Sequence, residues 1–159
     1  MEVLGEELTA HYAKDPRPLV VVGVLSGSFL FLADLVRHIL LPLEVEFMVA
    51  SSYGDAMTSS GTVELLPLRQ EGTTYRDRHV LVVEDILDTG RTLKEIQGFI
   101  QKEQPASLEV CTLLHKYKAN ALADAKWVGF PAPDEFLVGY GLDHAGHYRN
   151  LPSIGYIST

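Results

Sequence analysis

VLVVEDILDTGRTL, from Val80 to Leu93, decides how this chain is read. It opens on four apolar, mostly β-branched residues that fit a central strand, continues through three carboxylates, Glu84, Asp85 and Asp88, and closes on Thr89-Gly90-Arg91-Thr92. Leu93, Ile96, Phe99 and Ile100 then recur at helical spacing, so the acids and small residues lie in a strand-to-helix loop. In an open parallel sheet such loops gather at the carboxyl ends of the strands, where ligands bind. Glycine lets the backbone approach a ligand, and the free N–H groups of a helix start favour an anion such as phosphate. The plainer alternative is that Thr89 or Thr92 caps the helix and the acids are solvated.

Outward from this stretch the same alternation repeats. Leu4, Leu8 and Tyr12 mark a helix that Asp15-Pro16-Arg17-Pro18 ends before the apolar run Leu19 to Leu25. After the turn Ser26-Gly27-Ser28, the residues Phe29, Leu32, Ala33, Val36 and Leu40 give an apolar stripe for a helix covering the sheet. Leu43 to Val49 and Leu108 to Leu114 read as further strands. Strands alternating with helices predict an α/β fold with a mainly parallel sheet flanked by helices. From about residue 126 to 159 the pattern changes to short aromatic and aliphatic pieces, read as a small C-terminal cap within one domain spanning 1–159.

The 159 residues suffice for one compact core. A formal charge of -8 opposes nonspecific binding to nucleic acid or anionic lipid, so neither is expected as a partner. Cys111 is the lone cysteine and sits in the apolar run LEVCTLL, which excludes an intrachain disulfide and points to a reducing compartment. No apolar run approaches membrane-spanning length, and the first residues lack a basic region before an apolar stretch, so a cytoplasmic protein is expected.

The nonamer EDILDTGRT with its preceding strand, together with GVLSGSFLFLADLVRHI, VEFMVASSYG, CTLLHK and PDEFLVGYGLDHAGHYRNLP, resembles the type I purine phosphoribosyltransferases in their short bacterial form, over residues 19 to 152. The resemblance implies transfer of ribose 5-phosphate from phosphoribosyl pyrophosphate to N9 of a 6-oxopurine, hypoxanthine or guanine, with release of pyrophosphate. It also implies a Mg2+ cofactor and a homo-oligomer, dimer or tetramer. Glu84 and Asp85 would face the ribose hydroxyls and the magnesium shell, and Asp88 would act as general acid or base near N7. Asp88, Thr89, Gly90, Arg91 and Thr92 would bind the 5-phosphate.

Leu25, Ser26 and Gly27 resemble the family's pyrophosphate loop, where a nonproline cis peptide is often found; many relatives carry a basic residue where this chain has Ser26. A serine-capped strand-to-helix turn is the other reading of that segment. The resemblance makes Ser52 and Tyr53 part of a lid, an expectation matched by the polar stretch to Gly61. Lys116 would donate to O6, Phe136 would stack on the purine and Leu137 would offer backbone groups to its edge. Asp143 would approach the metal-bound pyrophosphate, and Arg149 would contact pyrophosphate from the far side. His144 and His147 are expected to be exposed bystanders, because magnesium prefers oxygen ligands. The rival readings are a xanthine- or guanine-preferring enzyme of the same kind, and a nonenzymatic RNA-binding regulator that keeps the fold.

Overall fold

The computed structural model describes residues 1–52 and 63–157. The elements in chain order are α1 (Glu2–Tyr12), β1 (Leu19–Leu25), α2 (Phe29–Val36), β2 (Leu43–Ser52), β3 (Val63–Leu68), β4 (His79–Leu87), α3 (Arg91–Gln101), β5 (Ser107–His115), β6 (Trp127–Pro131), β7 (Leu137–Val138) and β8 (Gly155–Tyr156). Six strands form one sheet in the order β3-β2-β1-β4-β5-β6, and every neighbouring pair is parallel except β2 with β3. The α/β expectation is therefore met.

The chain runs from β1 outward to β2 on one side and returns to add β4 on the other. That reversal leaves a crevice at the carboxyl ends of β1 and β4, the place where an open α/β sheet accepts ligands. Burial on both faces explains the near-continuous apolar runs of the central strands. On one face Val21, Leu81, Val83 and Cys111 pack against Leu8 and Tyr12 of α1 and Phe31, Leu32 and Leu35 of α2. On the other, Val20, Val22, Val80 and Val82 pack against Leu93, Ile96 and Ile100 of α3.

Three local readings change. The buried stripe of α2 is Phe31, Leu32 and Leu35, continued by Ile39, whereas Phe29 and Leu40 are exposed. The run FLFLADLV is apolar on most sides, so spacing alone does not fix which face turns inward. β3 went unread because Pro67 interrupts it; proline is tolerated there because β3 is an edge strand. Trp127–Pro131, read as part of the cap, instead extends the main sheet by pairing parallel to β5. Beyond it, β7 and β8 form a separate antiparallel ribbon. Tyr53 lies outside the described residues, and of Ser52 only its place at the end of β2 is described.

Candidate active site

β4 ends in the crevice and delivers its acids there. A cleft of about 260 Å³ is lined by Leu25 and Gly27 from the end of β1, by Ala50 of β2, and by the run from Glu84 to Leu93. Glu84 is buried and Asp85 half-buried. The Asp85 carboxylate accepts from the Ile86 N–H at 2.9 Å and lies so close to Gly27 that a Cβ built there would fall 1.7 Å from Asp85 Oδ2. With the carboxylate in that place, only glycine fits at 27. Burial, and then the charge of Asp85 beside it, pushes the Glu84 carboxyl well above the ordinary carboxylate range.

Gly90 stands at the start of α3 with φ of 74°, and a Cβ there would also meet the Ala123 backbone nitrogen at 2.6 Å. The residue at the helix start, Gly90, has no side chain to cap α3; Thr89 Oγ1 accepts a long bond, 3.5 Å, from the Arg91 N–H, and Thr92 takes no capping role. The first intrahelical bond is Lys94 N–H to Gly90 carbonyl, so the N–H groups of Thr92 and Leu93, in the cleft lining, have no partner within the helix. An uncapped, left-handed start of this kind is a cradle for an anionic group. The Leu25–Ser26 peptide opposite is cis. Ser28 does not cap α2: its hydroxyl turns back and donates to the Val24 carbonyl at 2.6 Å.

Beside the cleft lies a four-charge cluster. Lys116 follows β5, and its N–H donates to the Leu87 carbonyl at 2.9 Å, so its ammonium comes within 3.7 Å of Asp88 and of Asp134. Lys118 sits closer, 2.6 Å from Asp88 and 3.2 Å from Asp134. Sequence reading named Asp88 and Lys116 but not Lys118 or Asp134. A loop residue three positions beyond a strand end carries no periodic signal, and Asp134 in PAPDE reads as an ordinary turn residue.

The remaining segment is tied to the first loop by backbone packing. Gly141, at φ of 99°, abuts the Gly27 carbonyl closely enough that a Cβ would fall 2.2 Å from it. Arg149 donates to the Gly141 carbonyl at 2.6 Å and pairs with Asp143 at 2.8 Å, while the second Asp143 oxygen accepts from the Gly146 N–H at 2.7 Å. Tyr140 donates to Asp34 of α2, a contact across 106 positions that no sequence pattern announces. That bond, followed by the one from Arg37, holds Asp34 below the usual carboxylate range. Asp85, Gly27, Gly141, Arg149 and Asp143 thus form one continuous series of contacts. Phe136 is exposed, with the edge of His144 against its ring at 5.1 Å, and Leu137 begins β7. His144 and His147 are both exposed.

Among the described residues no three His, Cys, Asp or Glu side chains gather into a cage for a metal. Asp143 is held by Arg149 and Gly146 rather than grouped with Glu84 and Asp85. The Glu84–Asp85 pair nevertheless fits a divalent ion that keeps most of its own oxygen ligands, because burial and the neighbouring Asp85 raise the cost of ionising Glu84 and a cation relieves it.

A model of the phosphoribosyl transferase domain matches residues 4–145. The chain belongs to the phosphoribosyltransferase family. The hypoxanthine phosphoribosyltransferase of Haemophilus influenzae is 47% identical over 154 residues, covering 96% of this chain and 85% of that one. The hypoxanthine-guanine phosphoribosyltransferase of Staphylococcus epidermidis is 47% identical over 153 residues, covering 96% and 83%. A crystal structure of the hypoxanthine phosphoribosyltransferase of Staphylococcus aureus superposes with a TM-score of 0.88 at 44% identity, covering 99% of this chain and 84% of that one. The phosphoribosyltransferase sheet of this chain therefore carries its acids, uncapped helix and lysines at one end, and among the described residues no helix is long and apolar enough to cross a membrane.

Proposed function

We propose that this phosphoribosyltransferase makes IMP or GMP for purine salvage by moving ribose 5-phosphate from phosphoribosyl pyrophosphate to N9 of hypoxanthine or guanine. The observation that carries the reading is the convergence of Lys116 and Asp88, from two different strand ends, beside the uncapped start of α3. An ammonium can only donate, so Lys116 suits the O6 carbonyl of a 6-oxopurine. Asp88, three residues past the ribose-side acids, suits the purine proton at N7. In the reaction the bond from C1′ to pyrophosphate breaks as the bond to N9 forms, and the ring proton passes to Asp88.

The other residues have roles that follow from their positions. The N–H groups of Thr89 to Thr92 hold the 5-phosphate with Arg91 at the rim. Leu25, Ser26 and Gly27 receive the leaving pyrophosphate, and Arg149 reaches it from the Gly141 side. Phe136 offers an aromatic face to the purine and Leu137 its backbone, so residues from about 133 onward serve as the purine-side cap. Glu84 and Asp85 face the ribose hydroxyls and would hold Mg2+ with substrate oxygens, Asp143 lying on the pyrophosphate side. The ion would supply neutralisation of the leaving group's charge. Serine at 26 makes the pyrophosphate contact there a backbone one.

The buried thiol of Cys111, pushed up to about 12 by burial, is inert in a way that suits a cytoplasmic enzyme. Exposed Val45, Leu66 and Leu68 at the outer end of the sheet support self-association. Nucleotide formation from phosphoribosyl pyrophosphate with hypoxanthine, guanine or xanthine, with and without Mg2+, tests the reading. Product with hypoxanthine or guanine only when the ion is present is expected. Xanthine as the sole substrate, or full activity in excess chelator, would overturn it.

A further inference from the structure

We infer that Lys118 is a positioning residue, which takes the close contacts with Asp88 and Asp134 and thereby leaves the ammonium of Lys116 uncommitted and available to the purine. The inference rests on the proposed roles of Lys116 and Asp88. Its basis is an asymmetry between two lysines that share the same two acids. Lys118 lies 2.6 Å from Asp88 Oδ1 and 3.2 Å from Asp134 Oδ1, both within hydrogen-bonding range. Lys116 lies 3.7 Å from Asp88 Oδ2 and 3.7 Å from Asp134 Oδ1, outside that range.

The more enclosed lysine is the one left without a close partner: its side chain is 12% exposed, against 32% for Lys118. A buried ammonium ordinarily collapses onto any acid within reach, because an ion pair with direct hydrogen bonds is stronger than one without. Here the reach is short, since the lysine stem is flexible and the gap to either carboxylate is a fraction of an ångström. What opposes collapse is that both acids are already engaged. The close ion pairs with Asp88 and then Asp134 raise Lys118 above its ordinary value, and Lys118 is the chief cause holding Asp134 low. With Lys118 present two ammonium groups face two carboxylates and Lys116 keeps its protons for O6. With Lys118 removed, one ammonium faces both carboxylates, and the incoming purine must compete with them for it.

Lys118 also ties three segments together: the loop after β4 through Asp88, the loop after β5, and the segment before β7 through Asp134. The 6-oxopurine would enter between parts that Lys118 has already fixed.

Steady-state kinetics of Lys118→Met and Lys118→Arg, with hypoxanthine and phosphoribosyl pyrophosphate varied separately, test this. In Lys118→Met the KM for hypoxanthine should rise roughly tenfold, as expected when contacting charges are decoupled, with the KM for phosphoribosyl pyrophosphate within about twofold of the parent. Lys118→Arg, which keeps the charge, should recover most of the loss. Lys118→Gln carries the same expectation if the methionine variant does not fold. An unchanged KM for hypoxanthine, equal rises for both substrates, or no recovery in the arginine variant would overturn the inference. Lys116→Ala in the same assay separates the two levels. If it leaves hypoxanthine use intact the underlying reading fails, and if it abolishes that use while Lys118→Met changes nothing, only the present inference fails.

Discussion

Replacing Gly27 by alanine probes the junction between the two loops that form the cleft. The added Cβ would sit 1.7 Å from Asp85 Oδ2 and 2.5 Å from its Cγ, so one side must move. No positive φ is imposed at Gly27, and the cost is therefore steric rather than conformational. To reach ordinary contact the carboxylate has to retreat by roughly 2 Å. That withdraws it from the Ile86 N–H, now at 2.9 Å, and from its place in the cleft lining. Overpacking of this degree costs about 1–3 kcal/mol, or roughly 2–10 °C in Tm for a domain of this size. The kinetic effect should be larger. A misplacement of about 1 Å in a positioning group costs on the order of 100-fold, so kcat/KM for phosphoribosyl pyrophosphate should fall by about that factor while the fold persists. Thermal denaturation followed by substrate-dependent IMP formation measures both. A variant with parental kinetics would refute the placement of Asp85 against the pyrophosphate loop as part of the working site.

Gly98→Ala is the contrasting case: Gly98 lies inside α3, exposed, with nothing within 4 Å of an added Cβ, so denaturant melts should show about 0.5–1 kcal/mol of added stability and activity should be unaltered. Asp88→Asn should lower turnover about 100-fold to 10,000-fold with little change in KM for phosphoribosyl pyrophosphate, because proton transfer at the purine belongs to the reaction and phosphate capture rests on neighbouring groups. Glu103, which accepts from Arg69 at 2.6 Å and from the Tyr75 N–H at 2.9 Å, is held below the ordinary carboxylate value chiefly by Arg69. A depressed carboxyl stabilises the fold above its unfolded value of about 4.3 and loses that contribution as pH falls through the lower folded value. The Tm deficit of Glu103→Gln should accordingly be full near neutral pH and shrink below about pH 4, and a deficit that is the same at both would contradict the assignment.

The central sheet was legible because burial on both faces writes itself as continuous β-branched runs, and EDILDTGRT was legible because a strand end, acids and a helix start follow one another without interruption. The phase of α2 was not, since Phe29 and Phe31 look alike until a sheet lies against one of them. β3 was hidden by Pro67, which an edge tolerates and a pattern search rejects. In the site, Asp88 and Lys116 were found because EDILDTGRT and CTLLHK resemble the family's motifs; a lysine at a strand end would otherwise read as a solvated charge. Lys118, the Gly27–Gly141 contact and the Tyr140–Asp34 bond were not found, because each is created by chain segments meeting in space.

In the proposed function the cleft serves 6-oxopurines and Lys116 enforces the choice, which kcat/KM for hypoxanthine and for adenine in the parent and in Lys116→Ala puts to the test. The parent should use hypoxanthine and reject adenine, whose 6-amino group offers the ammonium no acceptor. A site built to bond one group penalises an analogue that leaves the donor unpaired, by more than the roughly 1–3 kcal/mol of a neutral donor. Lys116→Ala should lose hypoxanthine use and most of the discrimination. Comparable use of adenine by the parent, or hypoxanthine use that survives the substitution, would contradict the account.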